Sequence, residues 1–268
     1  RGACSDTGGL LSELPPQLHF GPKDYEVENC GTTVGLTTIG CKLNQYETEA
    51  IAERLEESGF SVVPFNTSAD VYVINTCTVT ARSDYKSRQM IRRAARRNPD
   101  ALVVATGCYA QREPDSLQAM PEVSLVIGND LKSRITELVS DELSGGVRKR
   151  RMPAPGRERA AGPTGPEQPS GFSFFDITGF RGYTRAFVKI QDGCDHRCAY
   201  CAVPEARGPA GSRDFDDVVR QAERLAANGY REAVLTGVHI GAYDAPDGRK
   251  LPELLEALSK IEDLVRLR

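Results

Sequence analysis

Residues 101–108 read ALVVATGC, an apolar run closed by a glycine and a cysteine. An apolar run ending in a cysteine recurs upstream in TVGLTTIGC at 33–41 and VYVINTC at 71–77. Short apolar runs bounded by turn residues suit strands buried on both faces. Strands are expected over 34–39, 71–74 and 101–105, with a fourth over 125–127. Helical stretches separate them: 44–58 closed by Gly59, 82–97 stopped by Asn98-Pro99, then 113–119 and 131–143. Strands alternating with helices predict an α/β fold, a doubly wound parallel sheet occupying 32–143. Cys41, Cys77 and Cys108 then each follow the carboxyl end of a strand. In a parallel sheet those ends share one edge, where such folds place their ligands. Any one of the three alone reads as core; three at equivalent strand ends do not read as packing.

On either side the text is different. Residues 1–31 show no clear period and contain Gly8, Gly9, Pro15, Pro16 and Pro22, so they are read as a disordered extension. Between 144 and 171 prolines and glycines crowd out large apolar residues, and 144–180 is expected to be a linker. Regular pattern returns in 181–268. A strand is expected over 186–191 and another over 233–235. Helices are expected over 215–228, where Val218, Val219, Ala222, Leu225 and Ala226 keep helical spacing, and over 251–261. This is the opening of a second βα series. Two units do not close or cover a sheet, so this second domain is expected to be truncated at its C-terminus.

Eight cysteines in 268 residues do not suggest a disulfide scaffold, which belongs to small secreted domains. In a cytosolic protein, clustered cysteines read as metal or redox sites. Cys4 and Cys30 stand apart and read as small hydrophobes. No stretch approaches the ~20 apolar residues that would span a membrane, and the first residues lack the order of a secretory signal; a cytoplasmic protein with no membrane partner is expected. The net charge of −3 excludes a protein basic throughout. Local runs matter more. Arg82, Lys86, Arg88, Arg92, Arg93, Arg96 and Arg97 face the single acid Asp84, and a second basic run covers 148–151. Such runs are solvated faces or sites for an anionic partner. On one helix Arg88, Arg92 and Arg96 would stack at i, i+4 and i+8, which makes them the candidate contacts to RNA phosphates.

Cys194, Cys198 and Cys201 form CxxxCxxC in the loop after the strand expected over 186–191. A cubane iron–sulfur cluster normally takes four thiolates, so three leave one iron open to a small chelating molecule. Zinc is the alternative. It would need His196 as a fourth ligand, from inside the motif, where the geometry is strained.

These residues resemble the methylthiotransferase branch of the radical S-adenosylmethionine enzymes. The matching text is TIGCKLNQYETEA (38–50), NTCTVTARSDYKSRQMIR (75–92), ATGCYAQ (105–111), IQDGCDHRCAYCAVPEARGPAGSR (190–213) and LTGVHIGAYD (235–244). GCKLNQYETEA and CAVPEARG are most similar to the members acting on N6-threonylcarbamoyladenosine beside the tRNA anticodon. The resemblance implies two [4Fe–4S] clusters, with Cys194, Cys198 and Cys201 holding the one that carries S-adenosylmethionine and Cys41, Cys77 and Cys108 the auxiliary one. It places Tyr200 near S-adenosylmethionine and makes 181–268 the opening of a radical-SAM partial (β/α) barrel. The implied reaction adds a methylthio group to C2 of the adenine on the 3′ side of the anticodon. Its implied partners are the tRNA, a flavodoxin- or ferredoxin-like electron donor and a sulfur source. Other readings are an isopentenyladenosine tRNA substrate, a ribosomal protein side chain, or a non-catalytic electron-transfer protein. The family commonly has Asn where this chain has His239, which receives no role.

Overall fold

The structure, a computed structural model, describes residues 31–145 and 175–268. Most of the expected extension and linker, and with them the basic run at 148–151, lie outside the described residues. β1 (Thr33–Thr38), β2 (Ser61–Val63), β3 (Val71–Thr76), β4 (Leu102–Gly107) and β5 (Leu125–Ile127) form one sheet in the order β2-β1-β3-β4-β5. Every pairing in it is parallel. β3 and β4 are buried throughout, and because side chains alternate along a strand they feed two cores. Val71, Val73, Leu102 and Val104 pack with Ile51 and Leu55 of α1 (Lys42–Glu57) and with Ile135 and Val139 of α5 (Ile135–Ser144). Tyr72, Ile74, Val103 and Ala105 meet Ile91 and Ala94 of α2 (Ala81–Arg97) on the other face. Each large aliphatic side chain so buried contributes about 1.5–3 kcal/mol. The doubly wound sheet is thus present as the alternation predicts.

Local departures have local causes. β2 is three residues between a turn and Pro64, too short to show a period. The helix expected over 113–119 forms as α4 (Pro114–Gln118), and a further short helix, α3 (Cys108–Arg112), precedes it; Glu113 between them, at φ −129° and ψ 54°, is not helical. The one expected over 131–143 begins as a 3₁₀ turn at Lys132–Arg134, with Lys132 buried.

In the second half, β6 (Ala186–Lys189), β9 (Glu232–Thr236) and β10 (Arg266–Leu267) make a parallel sheet in the order β10-β9-β6. The strand expected over 186–191 divides at Ile190. Its amide still bonds Thr236, but its carbonyl accepts from Arg213. β7 (Gln191–Asp192) then pairs antiparallel with β8 (Gly211–Ser212), the strand after α6 (Val203–Arg207). α7 (Phe215–Ala227) and α8 (Leu251–Ser259) complete the opening of a βα series. The end of the expected linker is packed rather than loose: Phe175, Ile177 and Phe180 belong to the second core, beside Phe187, Leu225 and Leu235.

α1 joins the halves. Ile51 and Leu55 face the first sheet while Tyr46 and Ala50 sit in the second core. Glu53 accepts from the backbone of Thr178 and Gly179, and Arg181 pairs with Glu49 at 3.0 Å and Glu56 at 2.5 Å. Deeper in, Glu47 is the hub of a buried ionic network. Its carboxylate receives Lys132 at 2.6 Å, Lys189 at 2.9 Å and Arg207 at 3.0 Å. Asp192 pairs with Lys189 at 2.6 Å and Arg207 at 2.9 Å. Burial works against the Glu47 carboxylate, but the charges of Arg207, Lys132 and Lys189 outweigh it and hold the group well below the usual range. Asp192 is lowered in the same way, burial being overcome by Lys189 and Arg207.

Breaking a buried ion set by removing one partner costs about 3–5 kcal/mol, so Glu47→Gln is expected to lose stability of that order, read as a fall in the urea midpoint. Glu47 and Asp192 are both depressed in the folded state, so the unfolded chain takes up protons first as pH falls. Their contribution is complete above about pH 4.3 and is lost as acid reaches the folded values. Urea unfolding from about pH 7 down to about pH 3 is expected to show that loss, and Glu47→Gln to flatten it.

Candidate functional site

Cys41, Cys77 and Cys108 come together as the sheet geometry requires. Cys41 caps α1, Cys77 directly follows β3, and Cys108 opens α3 after β4. All three line one cavity of about 590 Å³. Cys77 and Cys108 are buried and Cys41 is exposed. The second half supplies further lining: Ala202, Val203, Ala206 and Arg207 around α6, and Gly237, Val238 and Ile240 after β9. Asn44 ties the strand ends together. Its side-chain amide donates to Ile39 O at 2.8 Å and Thr76 O at 2.9 Å, fixing the ends of β1 and β3 beside their cysteines. Burial pushes the Cys108 thiol up, against the lowering charges of Arg207 and Lys132. Asn129 approaches its sulfur through Nδ2 at 3.8 Å and bonds Ala206 O at 2.7 Å, so one side chain touches both halves.

The second triad occupies the loop between β7 and α6. Cys194 and Cys201 are half-buried and Cys198 is exposed. The loop is tied by Cys194 N to Gly208 O at 3.1 Å and by Cys201 N to Cys198 O at 3.0 Å. Gly193, at φ +68°, has no room for a side chain, since a Cβ would lie 1.8 Å from Pro209 O. Gln191 organises the surroundings, donating to Asp192 O and Gly193 O and accepting from His239 N. Tyr200, expected near S-adenosylmethionine, is 91% exposed. The loop runs into the cavity wall, since Ala202 directly follows Cys201.

Among the described residues, the only three potential ligands whose donor atoms lie within 4.8 Å of one another are Cys194, His196 and His239. The two imidazoles are 5.2 Å apart between centroids. His239 therefore stands against the motif loop. Cys198 and Cys201 are outside that close set; a cubane, with a separate iron for each thiolate, spaces its ligands more widely than a single ion does.

α2 forms over the expected length, with Thr80 accepting from Ser83 N at its start. Its arginines divide. Arg88 donates to Tyr109 Oη at 2.7 Å and lies over that ring, and Arg92 faces Glu122 at 3.7 Å. Arg82, Lys86, Arg92, Arg93 and Arg96 are exposed, with Tyr85 among them at 52%. Sequence reasoning assigned nothing to Arg207, Glu47, Lys132 or Asn129. Glu47 and Arg207 stand inside the quoted motif text, but nothing in periodicity marks a charge as buried.

A Cβ on Gly40, at φ +111°, would fall 2.8 Å from Cys77 Sγ. Gly40→Ala is expected to cost about 1–3 kcal/mol and to displace that thiol. Thermal unfolding and faster alkylation of Cys77 in the metal-free protein check this; an unchanged midpoint and labelling rate would contradict it.

Residues 33–128 match the uncharacterized protein family UPF0004 and residues 188–267 the radical SAM superfamily. The chain is 41% identical over 238 residues to the threonylcarbamoyladenosine tRNA methylthiotransferase MtaB of Bacillus subtilis (strain 168), covering 88% of this chain and 50% of that protein. With the MtaB of Aquifex aeolicus (strain VF5) it shares 41% over 236 residues, 87% of this chain and 55% of that one. The ribosomal protein uS12 methylthiotransferase RimO of Desulforudis audaxviator (strain MP104C) is 32% identical over 248 residues, 88% and 50% of the two chains. The chain spans about half the length of these curated relatives. In fold it is similar to the radical S-adenosylmethionine methyltransferase TsrM from Kitasatospora setae, solved with cobalamin and a [4Fe-4S] cluster bound. The TM-score is 0.52 at 21% identity, over 78% of this chain and 48% of that one. Two family matches follow one another in a single polypeptide whose relatives, aligned over most of its length, are methylthiotransferases: the chain belongs to the radical S-adenosylmethionine methylthiotransferase family.

Proposed function

We propose that this chain carries the cluster-binding part of a tRNA methylthiotransferase that converts N6-threonylcarbamoyladenosine, on the 3′ side of the anticodon, to its 2-methylthio derivative. The observation that carries the reading is a cavity lined by three thiols and by Ala202, which directly follows the CxxxCxxC loop. All-sulfur donor sets of this kind suit iron–sulfur clusters, and the glycines at 40, 107 and 193 leave backbone close to the cysteines. Cys194, Cys198 and Cys201 would hold the cluster whose open iron takes S-adenosylmethionine, and Cys41, Cys77 and Cys108 the auxiliary cluster. Once bound, these groups supply the one-electron and sulfur-transfer chemistry. The chain's own residues shape the space around it. Leu43, Val79, Val203, Leu235, Val238 and Ile240 give the cavity a largely apolar lining, and Arg207 is its buried cation. Tyr200 is exposed at the loop tip, free to close on a bound molecule.

The exposed stripe of α2 supports RNA over a protein substrate. Arg82, Lys86, Arg92, Arg93 and Arg96 present positive charge to phosphates, and Tyr85 offers a face for a base. Arg88, stacked on Tyr109, braces the helix instead. The helix begins just after Cys77, Thr78 and Val79, which line the cavity. A flavodoxin- or ferredoxin-like donor, a sulfur source and a cytoplasmic setting complete the reading; among the described residues no helix is long and apolar enough to cross a membrane.

Mass spectrometry of tRNA nucleosides from cells with and without the complete gene tests the substrate. Loss of the 2-methylthio form of threonylcarbamoyladenosine is expected; loss of methylthiolated isopentenyladenosine, or an unchanged profile, overturns the assignment. Anaerobic reconstitution is expected to give about eight iron per chain. Cys198→Ala should abolish reductive cleavage of S-adenosylmethionine, whereas Cys77→Ala should keep cleavage and lose methylthiolation. Changing Arg92, Arg93 and Arg96 together to Gln should weaken tRNA binding and make its salt dependence shallower, by roughly one unit of slope for each phosphate no longer neutralised. A slope equal to the parent's would mean a merely solvated face.

A further inference from the structure

Arg207 is both a wall of the thiol-lined cavity and a member of the Glu47 network. It is only 8% exposed, and a guanidinium in such a place needs every partner it has. Nη1 bonds both oxygens of Asp192, at 3.0 and 2.9 Å, and Glu47 Oε1 at 3.0 Å, while Nη2 donates to Asn44 Oδ1 at 2.6 Å. These partners come from α1 and β7, so the charge cannot swing away from the cavity. Lys132, held by Glu47 at 2.6 Å, is a second buried cation of the same network. Cys108 lines the same cavity as Arg207, and Asn129 spans from its Sγ at 3.8 Å to the carbonyl of Ala206, the residue before Arg207, at 2.7 Å. Away from water the influence of a fixed cation on a neighbouring charge is large, because screening by solvent is weak.

We propose that Arg207 is a positioning residue whose charge, locked by Glu47, Asp192 and Asn44, raises the reduction potential of the cluster held by Cys41, Cys77 and Cys108. The inference rests on the cluster reading above. Reduction adds an electron to a centre already negative with thiolates, and a fixed cation beside it favours that added charge. The halves on either side of the cavity are thus coupled: the second supplies the cation, and the first supplies the thiolates and the hub that holds it.

The test uses the complete gene product with Cys194, Cys198 and Cys201 all changed to Ala, so that one cluster remains, and reads its potential by redox titration followed by electron paramagnetic resonance. Arg207→Gln in this background is expected to shift the potential to more negative values. Arg207→Lys keeps the charge without the forked hydrogen bonds, and should return most of the shift. Glu47→Gln removes an opposing charge and should move the potential the other way. Opposite signs for Arg207→Gln and Glu47→Gln cannot come from a network that only holds the halves together. Shifts of the same sign, no shift, or a Lys variant no better than Gln would overturn the proposal. Should the network variants fail to retain iron, Asn129→Asp introduces a negative charge beside Cys108 Sγ without touching the network. A more negative potential there supports the electrostatic account, and an unchanged one overturns it. A parent background that assembles no cluster would refute the cluster reading, and the proposal would fall with it.

Discussion

Glu47 is a carboxylate on the middle of a helix, shut away from water on every side. A charge in that position is tolerated only when cations and hydrogen bonds replace the lost water. Lys132 comes from the turn after β5, Lys189 from the end of β6 and Arg207 from the end of α6. No one of these elements can move without stranding charge, so the positions of both sheets relative to α1 follow from one electrostatic requirement. Apolar packing of Tyr46 and Ala50 against Phe175 and Phe187 adds affinity between the halves, but it is non-directional. The ion set is what gives the junction a single geometry.

The same helix carries that geometry to the cysteines. α1 starts at Cys41, and Asn44, one turn in, holds the carbonyls of Ile39 and Thr76 and also the Arg207 guanidinium. A parallel sheet already aligns the ends of β1, β3 and β4. What it does not fix is the distance from that edge to a second domain. The polar side chains of α1 do so: Asn44 and Glu47 reach across to Arg207 at the cavity, and Glu49, Glu53 and Glu56 hold 178–181 farther along.

Much of this was legible in the residues. The apolar runs at 71–74 and 101–105 made buried strands readable, and the cysteines at their ends made the edge readable. The shared role of α1 was not. Its period is correct for a helix packed on one sheet, and nothing in the spacing says that Tyr46 and Ala50 face a second core built from residues far downstream. Glu47, Lys132 and Arg207 look like surface residues, because a buried charge is defined by partners distant in sequence. A partner of the expected arginine stripe was hidden for the same reason: Tyr109, in α3 after β4, accepts a hydrogen bond from Arg88. The packing of Phe175, Ile177 and Phe180 was hidden by the proline-rich text that precedes them.

The two cysteine triads differ in how firmly the fold holds them. Cys77 and Cys108 extend central strands and are buried, with Cys77 N facing Ser87 Oγ at 3.4 Å and Asn129 against Cys108. Their positions are as rigid as the sheet. Cys194, Cys198 and Cys201 sit on a loop held by a few backbone bonds and by Gln191, with Cys198 and Tyr200 facing solvent. Such a loop has a margin of freedom, since loops open locally at low cost. Thiols that extend buried strands have no such margin. The buried pair thus shares its cavity with the fixed Arg207 charge, while the loop of the second triad reaches that cavity only as it runs on from Cys201 into Ala202.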